Sequence, residues 1–355
     1  RAAANRAAGG DGLELSKEVT ANGSGYTVHL EAYTTGQVTT TTSIAPCDIV
    51  LVLDQSGSMA YNFDGNETST DSARRQYAMK QAVNTFIEAV ADKYNAEKSD
   101  HRIAVVTFGT NASTLMDWTL VTPAETDTAE SPSGETALKA EINGLPSEPE
   151  GATNVADGMR SAQALMQGDS GYTGTNTKRQ KVVILFTDGV PTKQSDFDTT
   201  VANGAIQSAK ALKDAGATVY SVGIFNGANP EQLYGDSGFK HNSNGQVGSY
   251  WASFSWWGIG DVKNYDIPAG NRFLNYISGN FPDATEIGIQ PYDSSFIGIG
   301  NYGWQITRNF AREQSNYYLT ANDSASLSKI FTTISENIGS ANIDLGSETV
   351  IKDIV

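Results

Sequence analysis

Asp54, Ser56 and Ser58 place three small oxygen donors at alternate positions, directly after the apolar run Cys47-Asp48-Ile49-Val50-Leu51-Val52-Leu53. One carboxylate and two hydroxyls on a tight turn make a hard-donor set, suited to Mg²⁺ or Mn²⁺ and not to zinc. The same turn could also be a Ser/Gly loop with an incidental aspartate, so the surroundings decide. A second run, Val182-Val183-Ile184-Leu185-Phe186, ends in Thr187-Asp188-Gly189, and the polar turn Gly151-Ala152-Thr153-Asn154 lies between the two. Runs of this length bounded by turn residues read as strands buried on both faces. In open parallel α/β sheets ligands bind beyond the C-terminal ends of the strands, which is where Asp54, Ser56 and Ser58 fall.

The elements that would position these groups alternate. Met79, Ala82, Val83, Phe86, Ile87 and Val90 recur at helical spacing as a core-facing stripe. Residues 102–108 read as a strand of undetermined direction, and 155–166 as a helix with Asn154 as its N-cap. A strand over 181–187, a helix over 201–215 and a strand over 218–225 follow. A last helix carries Leu327, Ile330, Phe331, Ile334 and Ile338 on one face. Strands alternating with helices imply an α/β fold with a doubly wound, mainly parallel sheet.

Composition narrows the function classes. The chain has 355 residues, enough for a full core and a second domain, and a formal net charge of −16. That charge argues against nucleic acid or an anionic membrane surface as partner. No apolar stretch reaches the length of a transmembrane helix. With a single cysteine no internal disulfide can form, and Cys47 reads as a small buried hydrophobe. Charged residues make up only 18%, and a weakly charged polar surface without disulfides fits surface proteins of Gram-positive bacteria. Neither a secretory signal nor a sorting signal is present, so the chain reads as a segment of a longer protein. Enzymatic chemistry has little support. There is no Gly-x-x-x-x-Gly-Lys phosphate loop, His29, His101 and His241 show no zinc or triad spacing, and Ser56 has no base beside it in its motif.

In order and spacing, Asp54-x-Ser56-x-Ser58, Thr153 and Asp188 resemble the five-part metal-ion-dependent adhesion site of a von Willebrand factor type A domain. The resemblance spans about 46–338. It implies a Rossmann-like fold whose metal ligands are Asp54, Ser56, Ser58, Thr153 and Asp188. The implied ion is Mg²⁺, with Mn²⁺ or Ca²⁺ as alternatives. At least one coordination position would stay open for a carboxylate of a partner protein. Three stretches exceed the minimal pattern, about 61–73, 117–150 and 226–316, and the last is too long to lack structure of its own. Its helical part is expected at 271–281 and belongs to the core.

The flanks suggest a second, split domain. Residues 11–35 alternate as a β-hairpin, and 343–345 with 350–351 are candidate return strands. We therefore expect an Ig-like β-sandwich formed from 1–45 and 339–355 and interrupted by the type A domain. A type A domain with inserted arms and such flanks, carrying Leu15-Ser16-Lys17 on its first strand, resembles the tip adhesins of sortase-assembled Gram-positive pili. That resemblance implies a cell-wall-anchored or pilus-tip adhesin. It would bind a host extracellular-matrix or cell-surface protein, join a pilus shaft subunit through the rest of its parent chain, and be no enzyme. An intracellular scaffold or assembly subunit is the alternative, and a divalent-dependent hydrolase a weaker one. Lys17 looks like the lysine of a Lys–Asn isopeptide bond, although an aliphatic stem that snorkels to solvent fits its position equally well. Tyr250, Trp251, Phe254, Trp256 and Trp257 form either a ligand-binding surface or a local core for the third insertion.

Overall fold

The computed structural model describes residues 5–9, 13–22, 25–34, 45–97, 100–168, 179–193, 197–232, 248–250, 266–293 and 302–338. The chain divides into two compact units, Arg1–Ser43 and Ile44–Val355. In the first, strands β1 (Asn5–Gly9), β2 (Leu13–Asn22) and β3 (Gly25–Thr34) form an antiparallel sheet in the order β1-β2-β3. The expected hairpin is present, with its ladder running from Leu13↔Thr34 to Asn22↔Gly25. Strand β1 is an addition. Its Asn-Arg-Ala-Ala-Gly sequence has no apolar alternation, and the backbone ladder to β2 alone defines it. Lys17 is a central position of β2, opposite Leu30 on one side and Asn5 on the other. The expected return strands at 339–355 lie outside the described residues.

In the second unit six strands form the central sheet in the order β12-β8-β7-β4-β5-β6. They are β4 (Cys47–Asp54), β5 (Arg102–Phe108), β6 (Ala112–Leu120), β7 (Gln180–Thr187), β8 (Ala217–Gly223) and β12 (Tyr318–Thr320). All neighbours are parallel except the edge pair β5/β6. Strand β4 shows why its sequence reads as an unbroken apolar run. Ile49, Leu51 and Leu53 face one core while Val50 and Val52 face the other, so neither side of the pleat meets water. Helices α1 (Arg75–Glu97) and α6 (Ser324–Asn337) cover the first face. Helices α3 (Val155–Gln167), α4 (Thr199–Asp214) and α5 (Asp266–Ile277) cover the second. The six apolar residues read as a stripe on α1 are all buried.

Two stretches carry more structure than their composition suggests. Residues 117–150 contain the end of β6 and helix α2 (Gly134–Gly144), which buries Leu138 and Ile142 against α1. Strand β6 is an edge strand with most positions at least partly exposed, so it lacks an apolar alternation. The third long stretch supplies α5 and a small antiparallel sheet of β9 (Gly248–Tyr250), β10 (Ile289–Asp293) and β11 (Tyr302–Ile306). Helix α5 starts at Asp266, before the expected 271, because Pro268 stands in its first turn, where no backbone donor is lost. Phe273, Leu274, Tyr276 and Ile277 bury it in the core.

Candidate metal centre

Strand β4 is central, and its two neighbours β5 and β7 are reached by crossovers on opposite sides, which opens a crevice beyond the C-terminal ends of β4 and β7. Asp54 ends β4 and Asp188 directly follows β7, so the topology delivers both carboxylates to this crevice. Asp54 is fully buried, and its Oδ1 accepts the Ser56 backbone N–H at 2.8 Å, folding the chain back into a tight turn. Its Oδ2 accepts the Thr187 hydroxyl at 2.6 Å. The turn brings the Ser56 and Ser58 hydroxyl oxygens within 3.2 Å of each other.

The remaining loops are stitched to this turn through their backbones. Gln55 N–H donates to the Phe108 carbonyl at 2.6 Å, and Gly57 N–H to the Gly151 carbonyl at 3.1 Å. Gly151 has φ +105°, and a Cβ there would come within 2.6 Å of the Thr110 hydroxyl, so only glycine fits where the two loops meet. Thr153 N–H donates to the Thr192 hydroxyl at 3.3 Å, while Thr192 N–H donates to the Thr153 carbonyl at 3.1 Å. This reciprocal latch ties the loop of Thr153 to the loop that follows Asp188. Asn154 occupies the N-cap position of α3, as expected, but its side-chain amide bonds the Thr110 carbonyl and Asp157 and caps no helical N–H.

Asp188 is buried as well. Its Oδ2 accepts from Nη1 of Arg75, the first residue of α1, at 2.8 Å. Among the described residues Asp54 has no such ion pair. Burial, reinforced by the negative charge of Asp188, pushes its pKa up to about 7 even though Ser56 and Thr187 both donate to it. The crevice is therefore short of positive charge. Two buried carboxylates, the paired Ser56 and Ser58 hydroxyls and the Thr153 hydroxyl fit a small hard divalent cation. Among the described residues no three His, Cys, Asp or Glu side chains converge, so the candidate donor set is oxygen-only and rich in hydroxyls.

Four groups that shape the crevice escaped the sequence reading. Thr187 and Thr192 had a faint signal, being polar residues beside an Asp-Gly turn. Thr110 and Arg75 had none, because loop closure alone brings them in. Of the aromatic candidates, Tyr250 is the last residue of β9 and pairs with Tyr302 through its backbone. Trp251, Phe254, Trp256 and Trp257 lie outside the described residues. Cys47 is buried, with its thiol pushed up to about 12 by burial and by Asp48, as a packing residue should be.

The topology, a doubly wound sheet with a polar crevice at its switch point, defines an α/β domain with a mainly parallel sheet. The sequence profile of the von Willebrand factor type A domain matches residues 48–243, and the chain belongs to that family. No curated protein matches it. Among solved structures it is similar to the PilB minor pilin from Streptococcus sanguinis, with 14% identity, 95% of this chain and 77% of that chain covered, and a TM-score of 0.50. The pilus adhesin SpaC from Lactobacillus rhamnosus GG matches at 16% identity, covering 92% of this chain and 34% of that one, with a TM-score of 0.48. The vWF domain of the type V pili tip protein Mfa5 from Porphyromonas gingivalis matches at 15% identity, 84% and 97% coverage, and a TM-score of 0.46. At these identities the likeness is one of fold.

Proposed function

We propose that this chain is the adhesive domain of a cell-surface pilus protein and that it binds a host extracellular-matrix or cell-surface protein through a divalent cation. The observation that carries the reading is two buried carboxylates, Asp54 and Asp188, sharing one guanidinium at the sheet's switch point, with the Ser56 and Ser58 hydroxyls on the turn after Asp54 and the Thr153 loop stitched to it. Asp54, Ser56, Ser58, Thr153 and Asp188 would hold the ion, Mg²⁺ by preference of the donor set and Mn²⁺ or Ca²⁺ as substitutes. A bound ion would supply an electrophilic position for a partner's carboxylate. The chain's own part is to fix the donors by the backbone stitching between Gly57, Gly151, Thr153 and Thr192. The surroundings also leave room for a protein partner. A cleft of about 400 Å³ opens beside the crevice, lined by Phe63, Asp64, Phe225, Asn226 and Asn322 among others. Phe225 packs against Gly189, the residue after Asp188, so the cleft and the crevice share a wall.

The pilus assignment draws support from the named minor pilin PilB, which shares the fold over most of this chain. The reading is non-enzymatic and extracellular, on a Gram-positive cell wall or pilus tip, with a shaft subunit as the second partner. In the first unit Val19, Tyr26 and Val28 stay exposed on the hairpin, which favours further strands covering it, as in a split β-sandwich completed by 339–355. If Lys17 forms an isopeptide bond there, the amine displaces the carboxamide nitrogen, and the intact mass of the completed sandwich falls by one ammonia. An unshifted mass would retire that bond.

The adhesin reading is tested by binding of the chain to immobilised collagens, fibronectin and laminin in Mg²⁺ and in EDTA. Binding lost in EDTA supports the ion-bridged contact. Binding that ignores EDTA moves the ligand surface to the Tyr250–Trp257 segment.

A further inference from the structure

Arg75, the first residue of α1, brings a guanidinium into the crevice. Its side chain is only 5% exposed. Nη1 donates to Asp188 Oδ2 at 2.8 Å and also lies 3.4 Å from the Ser58 carbonyl, while Nη2 lies 3.4 Å from the Phe63 carbonyl. Its Nε is buried and has no hydrogen-bond partner. One guanidinium thus touches the two loops that supply Ser58 and Asp188, together with the segment that follows them.

We propose that Arg75 is the affinity-setting residue of the metal centre, a resident cation that occupies one oxygen of Asp188 and weakens the binding of a divalent ion. The inference rests on the metal reading of this crevice. Its physical basis is charge counting. Asp54 and Asp188 bring two negative charges and Arg75 returns one positive charge, so the site offers a cation a net single charge where the five-residue motif alone would offer two. Cation affinity in oxygen sites follows ligand charge count and rigidity. A fixed like charge a few ångströms from the ion is worth a tenfold change or more in a medium between water and protein interior. The competing possibility is that Arg75 only anchors the loops. In that case its removal would loosen Ser58 and Asp188 and weaken the ion's binding. The two roles predict opposite signs.

Calorimetric titration of the whole chain with Mn²⁺, paired with thermal unfolding in EDTA and in Mn²⁺, separates them. Arg75→Gln should bind Mn²⁺ roughly tenfold more tightly than the wild type. It should melt at a lower temperature in EDTA, where Asp188 is left buried without its partner, and gain a larger melting shift from Mn²⁺. Arg75→Lys, which keeps the charge, should retain most of the wild-type weakness. If Arg75→Gln does not fold, Arg75→Met keeps the apolar stem without the charge and should tighten binding in the same way. A folded neutral variant that binds Mn²⁺ no better than the wild type, or worse, overturns the inference. A wild type that takes up no Mn²⁺ overturns the metal reading beneath it, so the two failures are distinguishable.

Discussion

Strand β4 carries a buried aspartate at each end, and the two are treated in opposite ways. At the base, Asp48 accepts from Arg102 through Nε and Nη2 at 2.9 and 2.8 Å, and from Arg179 Nε at 2.6 Å. Two guanidiniums surround one carboxylate, and His101 beside them accepts the Cys47 backbone N–H at 3.0 Å. At the crevice, Asp54 and Asp188 share a single guanidinium, which bonds only Asp188. The base is over-neutralised and closed, with its charges satisfying one another. The crevice is under-neutralised, and among the described residues only the Ser56 backbone N–H and hydroxyl groups donate to Asp54. A fold gains nothing from leaving a buried carboxylate short of cations, and this imbalance supports the metal centre proposed at that end of the sheet.

The largest effect is expected at the base. Asp48→Ala would remove the carboxylate that Arg102 and Arg179 share, and chemical denaturation should show a loss of about 3–5 kcal/mol with Mn²⁺ affinity unchanged in the folded fraction. At the crevice the sign differs. Asp54→Asn removes a carboxylate that folding disfavours, so the variant should melt no lower than the wild type in EDTA. It should lose the stabilisation that a saturating divalent ion confers, about 2.7 kcal/mol at a hundredfold excess over Kd. Adhesion to an immobilised ligand should vanish with it, as it should for Asp54→Ala.

Acidity sharpens the contrast. The raised pKa of Asp54 means that the folded, metal-free protein holds a proton that the unfolded chain releases near the ordinary carboxylate value of 3.8. Its stabilising contribution is complete below that value and is lost as pH rises through about 7. His101 behaves in reverse. Burial, with the charges of Lys93 and Arg179, lowers it to about 4, so its contribution is present above the ordinary 6.5 and is lost as pH falls toward about 4. Melting curves in EDTA from pH 4 to 8 should therefore show Asp54→Asn and His101→Gln removing slopes of opposite sign. The smallest effect belongs to the exposed pair Arg160–Asp157 on α3, where Arg160→Ala should cost less than about 1 kcal/mol.

Legibility in the sequence followed burial pattern. Strand β4, the α1 stripe and the face of α6 were readable because their apolar residues recur with the period of the element that buries them. Strand β6 and α2 were hidden, the first by its exposure at the sheet edge and the second by the polar, proline-containing stretch around it. The crevice was readable where donors are close in sequence, as in Asp54-x-Ser56-x-Ser58. The pairing of Arg75 with Asp188 was not, since it joins residues 113 positions apart and leaves no local pattern. The Asp48 cluster was hidden for the same reason, with Arg102 arriving from β5 and Arg179 from the residue before β7, 54 and 131 positions away.

The most direct test is a Mn²⁺ titration by calorimetry of the wild type beside Asp54→Asn, in the same buffer at pH 8. One ion per chain bound by the wild type and none at this site in Asp54→Asn is the predicted result. Equal binding by the two proteins, or no binding by the wild type, would contradict the claim that the end of β4 is a metal centre.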